Sequence, residues 1–242
     1  MKNLRREIKN CLAKRLLPFG FVPKGKYARF VRTKANTVQI IGLGFSNGSR
    51  NVTADMNVLY PNINEIMVKL GEYDLMKAYQ GMVTGTMGML MPETEVPRGY
   101  KEWHFRKEDM PDSLDATIDE MISDIVQYGF PYFDELLDGE VLLDKLLSDP
   151  SQNRYLCFGV DKLIPVLYHL RGEDALAMDY IKKTIQKEGE WPSKEEMEKL
   201  LSMGDIVIIG NQSVSMNDYL AFARNFKEFI EAGHYKRKAL SD

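Results

Sequence analysis

Residues 38–52 read VQIIGLGFSNGSRNV, an apolar run followed by three glycines within seven residues. The fold turns on whether this is a phosphate-binding loop behind a strand or a turn between two strands. A dinucleotide fingerprint needs G-x-G-x-x-G between a strand and a helix, so that the helix N-terminus meets the pyrophosphate. Here the spacing is Gly42-x-Gly44-x-x-x-Gly48, and the next stretch, NVTADMNVLYP (51–61), alternates. Val52, Ala54, Met56 and Val58 fall on one side, and Thr53, Asp55 and Asn57 on the other. That is a strand with one face on a core, so the glycines belong to a hairpin. Asn47-Gly48 is a strong signal for a two-residue type I′ turn, whose central positions both need φ > 0. With that turn Ser46 faces Ser49, and partner numbers sum to 95. Leu43 then meets Val52, Ile41 meets Ala54, Gln39 meets Met56, Gly42 meets Thr53 and Ile40 meets Asp55. A slip of one residue would set Ile41 against Thr53 or Asp55 and break the agreement of faces.

Working outward, KYARFVR (26–32), TVQIIGLGF (37–45), GMVTGTMGMLMP (81–92) and YKEWHFR (100–106) are β-rich runs, giving five strands with 51–61. A short helix fits 62–70, with Asn62 or Asn64 near its cap. Before the strands, Leu4, Ile8, Cys11, Leu12 and Leu16 make one apolar stripe on an otherwise basic helix that stops at Pro18 and Gly20. That stripe is expected to pack on the sheet. Past residue 111 the period is helical. Leu114, Ile118, Met121, Ile122 and Ile125 form a stripe expected to end at Gly129, with a restart at Pro131 running to 147. Residues 160–170 and 174–187, joined by Arg171-Gly172-Glu173, read as an αα-hairpin. A capping box at Ser193 and Glu196 suggests a further short helix, and DIVIIG (205–210) reads as a strand or a buried connector. Tyr219, Phe222, Ala223, Phe226, Phe229 and Ile230 mark the last helix. The expected fold class is therefore α+β: an N-terminal helix, an antiparallel sheet of about five strands, then a mostly helical C-terminal part. The expected organisation is an α+β domain over 1–150, a helical subdomain packed on it over 151–234, and a flexible tail over 235–242.

Composition narrows the function classes. At 242 residues with 44% apolar content the chain can bury a sizeable core without disulfides or metal. Cys11 and Cys157 have no metal-ligand spacing and read as packed thiols of a reducing compartment. No apolar run suits a signal peptide or a membrane span, so the expected location is the cytoplasm, with no membrane contact. The net charge of −3 hides an asymmetry: residues 1–34 hold eleven Lys or Arg against Glu7, while 108–149 hold thirteen Asp or Glu against Lys145. Such segments complement each other within the chain or form separately solvated helix faces. The basic one makes nucleic acid a conceivable but not favoured partner.

Motifs for chemistry are sparse. There is no G-x-S-x-G, H-E-x-x-H or Walker loop. The histidines His104, His169 and His234 stand 65 residues apart. His104 with Glu102 on one strand face, near Glu108 and Asp109, is the best acid/base cluster, and surface polar residues on a half-exposed strand look the same. Asp112 and Asp115 suit a helix N-terminus, and the acidic run around Ser113 lacks a calcium loop's alternation. Met82, Met87, Met89 and Met91 sit at strand-like offsets, as core filling or as an adaptable contact surface. No catalytic, cofactor-binding or metal-ligating residue is assigned; His104, Glu102 and Asp109 are the candidates should the protein be an enzyme.

The pieces LLPFGFVPKGKYARFVR (16–32), VQIIGLGF, ADMNVLYP, GMLMP, EWHF and YGFPYFDELL, in this order, resemble a bacterial domain-of-unknown-function family, number 4304. The resemblance covers about residues 1–148. It implies a basic Gly-Phe turn before a strand pair, and a Trp-containing strand leading into a helix that ends in an aromatic-Pro-Phe segment. These are packing motifs, so the resemblance carries no catalytic residue. The order of elements also looks like that of secretion-chaperone-like folds, an analogy at the level of fold alone. The expected function is non-catalytic binding of another protein, in an adaptor, chaperone-like or immunity-type role. A hydrolase-type enzyme with scattered carboxylates and His104 is the alternative, and nucleic-acid contact through the basic N-terminal segment is a third reading.

Overall fold

The computed structural model describes residues 2–25, 28–46, 48, 50–96, 100–105, 112–148, 156–157, 159–188 and 216–233. Helix α1 (Lys2–Leu16) is followed by a 3-10 turn (Leu17–Phe19), then by β1 (Val22–Lys24), β2 (Arg29–Lys34), β3 (Thr37–Ser46) and β4 (Asn51–Leu59). Next come α2 (Pro61–Lys69), α3 (Leu75–Ala78), β5 (Val83–Thr86), α4 (Met87–Leu90) and β6 (Trp103–His104). Helix α5 (Asp112–Asp124) runs through a π turn (Ile125–Gly129) into α6 (Phe130–Glu135). Then follow α7 (Gly139–Leu147), β7 (Leu156–Cys157), α8 (Val160–Arg171), α9 (Asp174–Glu188) and a last helix, here α10 (Met216–Glu231). The α+β reading holds: a helix, an antiparallel sheet led by β1 to β5, and a mostly helical remainder.

The sheet order is β1-β2-β3-β4-β5-β7, with β6 pairing beside β4. Five expected strands become seven. Strand β1 was hidden by its short length and by Pro23, and it forms an edge, where proline is tolerated. The 81–92 run is a four-residue strand that turns into α4, because Thr86 caps Met89 N. Met82, Met87 and Met91 are buried, so they fill core rather than line a strand surface. The 100–106 strand shrinks to Trp103 and His104, paired with Val52 and Asn51.

The register of the central hairpin corrects the expectation. Ser46 pairs with Asn51 and Val38 with Leu59, so partner numbers sum to 97 rather than 95. Phe45 meets Val52, Leu43 meets Ala54 and Ile41 meets Met56. The loop is four residues long, 47–50, with Gly48 at φ 64°. A slip of two residues preserves every face, so the apolar pattern could not detect it, and the turn motif alone had set the number. A strand still follows Gly48, so the strand-to-helix setting of a phosphate loop is missing here too. Gly44 is needed for contact: a Cβ there would strike Thr53 Oγ1 on the facing strand.

One sheet face carries Phe30, Ile41, Val52, Ala54, Met56, Val58, Val83 and Trp103, all buried. Helices α1, α5 and α6 cover it. Ile8, Leu12 and Leu16 of the α1 stripe are fully buried, while Leu4 and Cys11 are partly so. The helix expected to stop at Gly129 continues. Phe130 N bonds Ile125 O, an i→i−5 step, and the wider turn takes in Pro131, which has no N–H to offer. Gly129 is there for close approach rather than as a cap, since its Cβ would lie 2.8 Å from Met56 Sδ. The true break is at 136–138, where Asp138 caps Glu140 N and starts α7.

The asymmetric charges meet in part. Arg15 pairs with Asp119 at 2.7 Å and Asp115 at 3.1 Å, and Lys34 with Asp134 at 2.6 Å. The expected αα-hairpin is α8 and α9, with Gly172 at φ 77° closing α8. Tyr219, Phe222, Phe226 and Phe229 are buried as expected. These helices meet the sheet part through Lys162–Glu72 at 2.5 Å and Asn225 Nδ2 donating to Leu70 O. Asn64, expected near the α2 cap, instead ties down the next turn: it donates to Asp74 and accepts from Leu75 N. The expected short helix at 193 and strand at 205–210 lie outside the described residues, as does the tail.

Candidate functional site

Strand alternation sends the other set of side chains to the opposite, largely polar face. Register across five strands lines up Lys24, Arg29, Gly42, Asp55 and Thr86 in one row. The next row holds Val31, Ile40, Asn57 and Thr84, with Asn57 Oδ1 accepting from Thr84 Oγ1 at 2.8 Å. Toward the other end stand Gly44 with Thr53, then Ser46, Asn51 and His104. Segment 75–82 crosses this face near Arg29, whose guanidinium donates to the carbonyl of Ala78.

Asp55 is half-buried with glycine as its cross-strand neighbour on β3. Burial pushes its carboxyl above the ordinary carboxylate value. Sequence reasoning put Thr53, Asp55 and Asn57 on one face but missed the row with Arg29 and Thr86, because a row needs the register. The signal that was present is a polar side of β4 opposed by two glycines.

The predicted pair does come together. Glu102 accepts from Ser46 Oγ at 3.1 Å, Asn51 Nδ2 at 2.9 Å and Tyr100 OH at 3.3 Å. His104 Nδ1 is 3.4 Å from Asn51 Oδ1 and 3.9 Å from Glu102 Oε2. Glu102 is 14% exposed and His104 65%, so the carboxylate is held by its donors while the imidazole projects to solvent. Behind them, Trp103 is buried and donates Nε1 to Asp124. Asp109, the third candidate, lies outside the described residues, as do Glu108 and His234. Four residue steps along β4 separate Asn51 from Asp55, about 13 Å, so the two clusters are opposite ends of one face and not one site.

Among the described residues, no group of three His, Cys, Asp or Glu could hold a metal, and no helix is long and apolar enough to cross a membrane. His169 serves structure, its Nδ1 lying 2.6 Å from Asp174 Oδ1 and its ring packing edge-on to Phe226 and Phe229.

No curated protein and no solved structure matches the chain. The sequence profile of the family described as Domain of unknown function (DUF4304) matches residues 12–135. That span runs from α1 through α6 and contains both polar clusters together with the helices that back them. The chain therefore belongs to the DUF4304 family.

Proposed function

We propose that the chain is a non-catalytic factor of the bacterial cytoplasm that binds another protein, in an adaptor, chaperone-like or immunity role. In this reading residues 1–150 are the binding domain and 151–234 a helical subdomain packed on it. The observation that carries it is the half-buried polar field around Asp55, beside the point where segment 75–82 crosses the face. Side chains from three strands, Arg29 of β2, Asp55 and Asn57 of β4, and Thr84 and Thr86 of β5, stand half-buried on a sheet surface. At the middle of that surface Gly42 adds no side chain, and the Thr53 side chain lies over Gly44. At ordinary sheet spacings the field measures about 14 by 20 Å, the size of the centre of a protein interface. A partly desolvated Asp55 carboxylate, with Arg29 two strands away and Lys24 three strands away in the same row, puts charge of both signs on one face, which favours orientation and specificity over raw affinity.

The test is cross-linking with mass spectrometry in the native host, using the wild type and Asp55→Lys, with circular dichroism to confirm that the variant folds. A protein cross-linked through β3 to β5 in the wild type and lost in the variant supports the proposal. The same set of cross-links from both chains overturns it. The Glu102 cluster favours a second reading, a hydrolase-type enzyme, since a carboxylate with three donors adjoins a histidine. Turnover of an ester or phosphoester panel that Glu102→Gln abolishes would establish that reading. Nucleic-acid contact through α1 is less favoured, because Arg15 is already taken by Asp115 and Asp119.

A further inference from the structure

Away from the sheet face, a cavity of about 230 Å³ opens where the β2–β3 turn, the start of α2, the start of α7 and the end of α8 converge. One part of its wall is apolar and the rest is polar, with Asn36, Asn62, Asp138, Glu140 and Arg171. The Tyr60 ring, Ile63, Leu167 and Leu170 line it, with the Tyr60 hydroxyl turned away to donate to Leu136 O at 2.8 Å. A cavity of about 150 Å³ holds benzene, and sites for drug-sized ligands run from about 300 Å³. The volume here therefore suits one ring with a short side chain.

The charged groups set the sign of the occupant. Asp138, Glu140 and Arg171 line the cavity. The Arg171 guanidinium is engaged: it pairs with the Glu140 carboxylate, and it donates to Glu140 O at 2.5 Å and to Asp144 Oδ1 at 2.8 Å. Its positive charge thus faces two carboxylates. Asp138 Oδ1 accepts from Glu140 N at 2.9 Å, its one hydrogen-bond partner among the described residues. Asp138 is exposed at the rim and keeps acceptor capacity for a cation. Ala35, also in the lining, has φ 50°, a left-handed conformation that non-glycine residues rarely adopt. It is the first residue of the two-residue β2–β3 hairpin turn, which calls for positive φ there.

We propose that this cavity binds a small organic amine, its ring or short chain against Tyr60, Ile63, Leu167 and Leu170 and its ammonium at the Asp138 carboxylate. The inference stands apart from the sheet-face reading and survives that reading's failure. It is tested by titrating 2-phenylethylamine, 2-phenylethanol and phenylacetate into the isotopically labelled full chain, following the amide resonances of Ala35, Ile63, Gly139 and Leu170. The amine should shift these resonances with a Kd roughly tenfold below that of the alcohol, one charge-assisted hydrogen bond's worth. Phenylacetate should leave them in place. Asp138→Asn keeps a good helix cap and should erase the tenfold preference while the alcohol still binds. Gly139→Leu grows a side chain toward Tyr60, whose ring lies 3.9 Å from the Cβ position, and should abolish the shifts. No shift at these residues with the amine, equal binding of phenylacetate, or an unchanged preference in Asp138→Asn would each overturn the proposal.

Discussion

Gly129 and Met56 give the sharpest test of how the long helix seats on the sheet. A methyl at position 129 would lie 2.8 Å from Met56 Sδ and 3.2 Å from Met56 Cγ, and Met56 is fully buried. In the wild type, Gly129→Ala gains about 1 kcal/mol of helix propensity. It also overpacks the core, at a cost of about 1–3 kcal/mol. The net expectation is a loss between zero and about 2 kcal/mol. Met56→Ala alone should lose about 2–5 kcal/mol, since it leaves a cavity at a site with no solvent exposure. In that background the clashing atoms are gone, and the new methyl enters the hole they left. Gly129→Ala should then stabilise by about 1 kcal/mol, reversing its sign, with a coupling of about 1–3 kcal/mol. Urea denaturation of the four chains, analysed with a common m value, measures this directly. Should Gly129→Ala have the same effect within about 0.5 kcal/mol in both backgrounds, the argument from close approach is wrong.

Leu12, fully buried on α1, should cost about 2–5 kcal/mol on replacement by Ala, read as a lower urea midpoint; a change under about 0.5 kcal/mol would mean that α1 is a detached arm. Ala35→Gly removes a left-handed alanine worth about 1–2 kcal/mol of strain against about 0.5–1 kcal/mol of added chain entropy. Thermal melts should show a gain between zero and about 1.5 kcal/mol, and a clear loss of Tm would contradict the strain. For Asp55 the folded pKa lies above the unfolded one because burial disfavours the charge. The linked stability is therefore full below the unfolded carboxylate value and is lost as pH rises through the folded one. Asp55→Asn should accordingly be more stable than the wild type at neutral pH, with the difference shrinking as pH falls to about 4 and below. A pH series of urea melts in which the variant gains nothing at neutral pH would remove the desolvation argument.

Much of the fold was legible because periodicity is a local property. The three-and-four spacing of Ile8, Leu12 and Leu16, and of Phe222, Phe226 and Phe229, survives in any tertiary context that buries one helix face, and these residues are buried. The alternation of β4 likewise sorted Met56 from Asp55 before any partner strand was known. Glu102 and His104 were found together for the same reason, two residues apart on one side of the extended segment that ends in β6.

What sequence left open were quantities set by the neighbour. A two-residue shift leaves every face unchanged, so only the assembled hairpin fixed the sum at 97, and with it the row that joins Arg29, Asp55 and Thr86. Gly129 carries a helix-ending signature along the chain. Met56, seventy-three residues away, makes it a contact glycine inside a continuing helix. The cavity at Tyr60 draws its walls from four separated segments. Backbone propensity and apolar period act over a few residues and are written in the chain. Register between strands, close approach and enclosed volume depend on which distant atoms arrive, and only the tertiary structure decides that.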